Sequence, residues 1–247
     1  MINIRQNSYS NSQLMRGIQE SSVAYILNHA TIEQFDKNTI IVQQSEKHPF
    51  LHLILSGKVK TYRHSTEGKE TIIRLLKPQE TFMDAVIFMN TDTSPISAQS
   101  IEPTKTLKIP QKIIHEAISK DSILAHNLLQ IIANHYGSSM LQVDAIHTQK
   151  PLDRVGFYLL SKYLEHIKLG GSSKSFSLQY TKQDIANQLG VAPETFSRSL
   201  AKLKQMGIEI QGTEIKLSSS ESLCQFCDPT LTKKCIKSSK DDCKIKE

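Results

Sequence analysis

Thr181-Lys182-Gln183-Asp184-Ile185-Ala186-Asn187-Gln188-Leu189-Gly190-Val191-Ala192-Pro193-Glu194-Thr195-Phe196-Ser197-Arg198 is the stretch from which the rest of the chain is best read. Thr181 with Asp184 three residues later is a capping-box-like helix start, and Ile185, Ala186 and Leu189 follow at helical spacing along one face. Gly190 is a helix stop. Ala192-Pro193 opens a second helix with proline at its first position, where the missing N–H is no loss. Phe196, Leu200, Leu203 and Met206 form the apolar stripe of that helix until Gly207 ends it. Two short helices joined by a glycine-containing turn make a helix-turn-helix unit. Beyond it, Ile208-Glu209-Ile210 and Glu214-Ile215-Lys216-Leu217 alternate around Gly212-Thr213, which predicts a hairpin wing.

In such a unit the first residues of the second helix meet base edges in the major groove of double-stranded DNA. Glu194, Thr195, Ser197 and Arg198 are the polar residues at that place. Arginine can donate two parallel hydrogen bonds to guanine, glutamate can accept from a cytosine amine, and serine can do either. Residues 151–217 carry 9 Lys and Arg against 6 Asp and Glu, an excess of three within a whole-chain charge of +6. Positive charge is thus densest around the reader, as phosphate contacts require.

The 247 residues suffice for two modest cores. No apolar run approaches the roughly 20 residues of a membrane span, and Met1 to Ser12 is polar rather than signal-like, so a cytoplasmic protein without a membrane partner is expected. A helix is predicted from Ser12 to about Ala30. From Thr31 to Pro110 short β-rich runs alternate with turns: Thr39–Val42, Leu51–Leu55, Lys58–Tyr62, Thr71–Leu76, Ser97–Ile101 and Thr106–Ile109. Such spacing predicts a small sandwich or barrel. Helix returns at Gln111–Ile118 and then over a long stretch from about Asp121 to Thr148, roughly 40 Å at 1.5 Å per residue. Leu124, Leu128 and Ile131 form one apolar row on it, and Leu129, Ile132, Tyr136 and Val143 another. Two apolar rows suit a helix that packs on its own domain with one side and on a second copy with the other, which makes a homodimer.

This order of parts resembles the Crp/Fnr family of bacterial transcription regulators over about residues 15–217. The markers are Leu53-Ile54-Leu55-Ser56-Gly57-Lys58-Val59, Arg154 with Leu159-Leu160, and the stretch from Thr181 to Arg198. The resemblance implies an α+β chain: a cyclic-nucleotide-binding-like β-roll over 1–120, a dimerisation helix over 121–149, a winged helix-turn-helix over 150–217 and a cysteine-rich tail over 218–247. It implies a regulator rather than an enzyme, with RNA polymerase as a further partner. Glu194, Ser197 and Arg198 match the pattern of the Fnr branch, whose members read a TTGAT…ATCAA palindrome. Cyclic-nucleotide binders of the family use a Gly-Glu pair and then an Arg-Ser pair; here Asp84-Ala85 and Ile96-Ser97 stand in those places, so cyclic AMP is not expected as the effector.

All four cysteines, Cys224, Cys227, Cys235 and Cys243, lie within the last 24 residues. Four thiolates can hold a [4Fe–4S] cluster or a tetrahedral zinc, and a reducing compartment disfavours disulfides. The Bacillus-type Fnr proteins are similar, with a C-terminal Cys-x-x-Cys, a third cysteine and an aspartate from the dimer helix. That resemblance leaves two ligand sets, one of four cysteines and one in which Asp144 replaces Cys243. A haem is the rival cofactor, with His48, His52, His64, His126 or His135 as the axial ligand.

Overall fold

The computed structural model describes residues 9–68, 70–90, 93–172, 175–219 and 222–227. The chain is α+β and divides into two compact units, Met1–Met140 and Leu141–Glu247. The first opens with turns and α1 (Glu20–His29), and then builds eight antiparallel strands: β1 (Thr31–Phe35), β2 (Ile40–Val42), β3 (Phe50–Ser56), β4 (Val59–His64), β5 (Glu70–Leu76), β6 (Thr81–Phe82), β7 (Ser97–Ser100) and β8 (Thr104–Pro110). They form two four-stranded sheets, ordered β1-β8-β3-β6 and β2-β7-β4-β5, which together make the β-roll. Helices α2 (Gln111–Lys120) and α3 (Ser122–Thr148) follow.

Strand β3 shows why its sequence reads as an almost unbroken apolar run. Leu51 and Leu53 face a core shared with Leu14, Ile26, Ile114, Leu124, Leu128 and Ile131, which come from the helices and the N-terminal turns. Ile54 faces the space between the sheets, with Val42, Val59, Leu76, Phe82 and Ala98. A strand buried on both faces loses the polar alternation of an exposed one.

The expected helix from Ser12 is shorter than its apolar spacing suggests. Gly17 adopts φ +72°, which interrupts any helix there. Leu14 and Ile18 are buried all the same, but from turns. Strand β1 lacks an apolar alternation strong enough to single it out, and β6 is only two residues long. On α3 the two rows behave as their spacing implies: Leu124, Leu128 and Ile131 are buried, whereas Leu129 and Tyr136 are 67% and 68% exposed. Asp121 caps the helix by accepting from the Ile123 N–H at 3.1 Å, and its other oxygen accepts from the Gln19 N–H at 2.9 Å.

His52 is a polar residue on the otherwise apolar inner face of β3. It is fully buried, stacks on Phe82 with ring centres 4.6 Å apart, and lies 3.0 Å from the Thr106 hydroxyl through Nδ1 and 2.8 Å from His48 through Nε2. Burial, then the neighbouring His48 and Lys108, push its basicity well below the ordinary histidine range. Burial and Lys108 likewise lower His48 to about 4. Unfolded histidines take up protons near pH 6.5, so between there and about pH 4 the unfolded chain binds more protons than the folded one. Stability is therefore full above pH 6.5 and declines on acidification through this window. Urea unfolding at a series of pH values is expected to show that decline, with a shallower slope in His48→Gln; an unchanged slope would contradict the assignment.

Candidate nucleic-acid interface

The second unit contains α4 (Pro151–Lys168), β9 (Ser175–Ser177), α5 (Lys182–Gln188), α6 (Pro193–Gln205), β10 (Ile208–Gln211) and β11 (Glu214–Leu217), with the strands ordered β10-β11-β9. The hairpin pairs Gln211 with Glu214 and Ile208 with Leu217, so Gly212-Thr213 is its two-residue turn. Strand β9 ends at Ser177, and Leu178 beyond it donates its N–H to the Thr213 carbonyl at 2.7 Å.

Both ends of α5 are closed by local chemistry. The Thr181 hydroxyl accepts the Asp184 N–H at 3.1 Å and donates to the Asp184 carboxylate at 2.6 Å. At the other end Val191 N–H reaches the Ala186 carbonyl at 2.9 Å and Gly190 N–H the Asn187 carbonyl at 3.2 Å. These two bonds are those of a Schellman motif, and Gly190 takes the left-handed φ of +61° that the motif requires. Pro193 occupies the first turn of α6.

Phe196, Ser199 and Leu203 are the buried side of α6. Ser199 hides its hydroxyl by donating to the Thr195 carbonyl at 2.9 Å. Met206, expected at the end of the apolar stripe, lies past the helix and is 40% exposed. The opposite face carries the predicted readers: Glu194, Ser197 and Arg198 are exposed and Thr195 is half-buried. Arg198 Nη2 donates to the Thr195 hydroxyl at 3.1 Å, which turns the guanidinium back toward the helix N-terminus. Thr195 thus orients Arg198, a role that residue type and spacing alone do not reveal. Lys182, Lys202, Lys204 and Lys216 are exposed on the same unit.

Of the four cysteines, Cys224 and Cys227 are described; Cys235 and Cys243 lie outside the described residues. Cys224 begins a 3-10 turn, Cys224–Phe226, and Cys227 N–H closes it on the Cys224 carbonyl at 3.0 Å. Leu223 is fully buried and Phe226 nearly so. The Phe226 ring lies on Gly156 of α4 so closely that a Cβ there would come within 2.3 Å of it. The turn is therefore seated on the winged unit. Asp144, the alternative ligand, is exposed on α3. Among the described residues no three His, Cys, Asp or Glu side chains are grouped as metal ligands. The candidate haem histidines have protein partners of their own: His48 and His52 each other, His126 the Gln130 amide at 2.8 Å, His135 Arg74 and Asp84, and His64 the Tyr62 ring.

No helix among the described residues is long and apolar enough to cross a membrane. Residues 32–121 match the cyclic nucleotide-binding domain and residues 153–226 the Crp-like helix-turn-helix domain. The chain is 25% identical over 227 residues to an anaerobic regulatory protein of Pasteurella multocida, covering 87% of this chain and 82% of that one. It is 24% identical over 216 residues to a CRP-like cAMP-activated global transcriptional regulator of Mycobacterium tuberculosis, covering 86% and 95%. The structure of FixK2 from Bradyrhizobium japonicum superposes with a TM-score of 0.68 at 20% identity, covering 81% of this chain and 98% of that one. Relatives named for anaerobic regulation and for cyclic-AMP activation thus lie at nearly the same distance, and the residues themselves must separate the two.

The seat of the cysteine turn is open to a direct test. Gly156→Ala is expected to lower stability by about 2 kcal/mol or more, because the added Cβ would come within 2.3 Å of the buried Phe226 ring. Phe226→Ala should lower it by about 3 kcal/mol. In the double variant the two losses should fall well short of additive in urea unfolding; additivity would mean that ring and glycine do not touch.

Proposed function

Since the chain belongs to the Crp/Fnr family of transcription regulators, and so is not an enzyme, we propose that it binds a TTGAT…ATCAA-like palindrome as a homodimer and answers to oxygen, nitric oxide or redox state through its C-terminal cysteines. The observation that carries the first half is the exposed Glu194, Ser197 and Arg198 on the leading turns of α6, with Arg198 held by Thr195. A guanidinium aimed along the helix toward its N-terminus supports this reading, because arginine can make two parallel bonds to guanine O6 and N7. Glu194 is left to accept from a cytosine amine, and the surrounding lysines to meet phosphates. The exposed row of Leu129, Tyr136 and Met140 on α3 supports the homodimer, since apolar side chains spaced along a helix face are what a second copy would cover.

The second half rests on the donor set. Two cysteines three residues apart on one turn present half of a four-thiolate site, and soft thiolates favour iron–sulfur or zinc over hard cations. Cys224, Cys227, Cys235 and Cys243 would hold the group, or Asp144 in place of Cys243. A [4Fe–4S] cluster at that place would supply reactivity toward oxygen and nitric oxide. Leu223 and Phe226 hold the turn against α4, and α4 packs against α6. A change of order in the tail therefore has a packed path to the reading helix. Asp84-Ala85 and Ile96-Ser97 lack the glutamate and arginine that the cyclic-nucleotide members use, which sets cyclic AMP aside as the signal.

Arg198→Ala is expected to weaken binding to the palindrome by about 1–3 kcal/mol while leaving affinity for unrelated duplex nearly unchanged. Unchanged specific affinity in a band-shift titration at fixed salt would sink the reading. Protein purified without oxygen is expected to show broad visible absorption and acid-labile sulfide, both lost in Cys224→Ser/Cys227→Ser. A colourless sample with stoichiometric zinc, or a sharp haem band, would replace the cluster.

A further inference from the structure

Asp84 is a carboxylate inside the β-roll, with its side chain only 4% exposed. It sits at the corner after β6, where the preceding Met83, itself buried, takes a left-handed φ of +62°. A long side chain is disfavoured in that region, so the corner is held by its surroundings. What the corner achieves is the placement of Asp84. Oδ1 accepts the Ala85 N–H at 2.9 Å and Oδ2 accepts the Thr81 hydroxyl at 2.8 Å. Arg74 on β5 brings Nη1 to 3.7 Å from Oδ2 and donates from Nη2 to the Thr81 carbonyl at 3.1 Å.

The fourth wall comes from α3. His135 Nδ1 lies 3.4 Å from Asp84 Oδ1 and 3.0 Å from Arg74 Nη1. That nitrogen can accept from the guanidinium in the neutral ring or donate to the carboxylate in the protonated one, and either way it ties the helix to the pair. Burial opposes the charge on Asp84, but His135, Arg74 and Thr81 together overcome it and hold the carboxyl below its ordinary range. A guanidinium, a hydroxyl, a backbone N–H and an imidazole converging on one buried oxyanion are the components of a carboxylate-binding site.

We propose that Arg74, Thr81, the Ala85 amide and His135 form an anion cradle whose ligand is the chain's own Asp84 carboxylate, so that the β-roll grips α3 without any dissociable effector. A free anion entering there would have to displace a tethered carboxylate, whose local concentration far exceeds that of a solute. The same groups would accept a small external carboxylate once the tethered one is removed. This inference is independent of what α6 binds.

Chemical rescue tests it. Asp84→Gly is expected to melt about 10 °C below the parent protein. It should regain at least half of that loss in formate or acetate relative to chloride at equal ionic strength, whereas the parent should respond alike to all three. A melting point within about 1 °C of the parent, or equal responses to formate and chloride, would overturn the proposal. Should Asp84→Gly not fold, the near-isosteric Asp84→Asn and His135→Gln decide the matter. The double variant should melt no lower than the worse single one, and additive losses would overturn the shared cradle.

Discussion

The left-handed turn at Gly190 is the constraint on which the reading face depends. Its two backbone bonds, Val191 to Ala186 and Gly190 to Asn187, end α5 and fix the direction in which the chain leaves it. Pro193 then starts α6 two residues after Val191, with no slack between the helices. A side chain at position 190 would have to accept the left-handed conformation and would also come within 3.4 Å of Ile146. Because the entry of α6 is fixed, so is the division of its surface. Phe196 and Leu203 face inward, and Glu194, Ser197 and Arg198 have no choice but to face outward.

Much of this was legible in the sequence, because it rests on local rules. Thr181 with Asp184, Gly190 and Pro193 each declare a helix end through their own backbone chemistry, and the structure places the ends within a residue of those signals. Most strands of the β-roll could be read from short apolar runs between turns. Failures came where local pattern and tertiary role diverge. Leu14 and Ile18 share the spacing of a helix with Ile26, yet Gly17 breaks the chain between them and the two are buried from turns. Strand β6 exists only because β3 offers it an edge, which two residues cannot announce.

The site was legible in part for the same reason. Which residues of α6 point outward follows from helical period, so Glu194, Ser197 and Arg198 stand out from the sequence alone. That Thr195 steers Arg198 depends on a rotamer, and no spacing encodes it. The seat of the cysteine turn is more distant still. Gly156 reads in the sequence as an unhelpful glycine inside α4, and Phe226 as the middle of a Cys-x-x-Cys. Only their contact explains both: the helix gives up a side chain so that a ring from 70 residues later can lie on it.

Asp84 carries the argument furthest from local rules. Read along the chain, it stands with Ala85 where cyclic-nucleotide binders carry a Gly-Glu pair, and so counts only as a departure from that pair. In three dimensions the carboxylate is amply partnered, by Arg74 from a neighbouring strand and by His135 from the long helix. A buried ion pair is seldom worth more to stability than a well-packed apolar cluster of the same size, so stability alone is a poor reason for its presence. Its geometry offers a better one. A charge pair with directional partners fixes one relative placement of strand, corner and helix, where apolar packing would tolerate several. If that placement is set from within the β-roll, a signal has to enter elsewhere, which agrees with the proposal that the seated Cys224–Cys227 turn receives it.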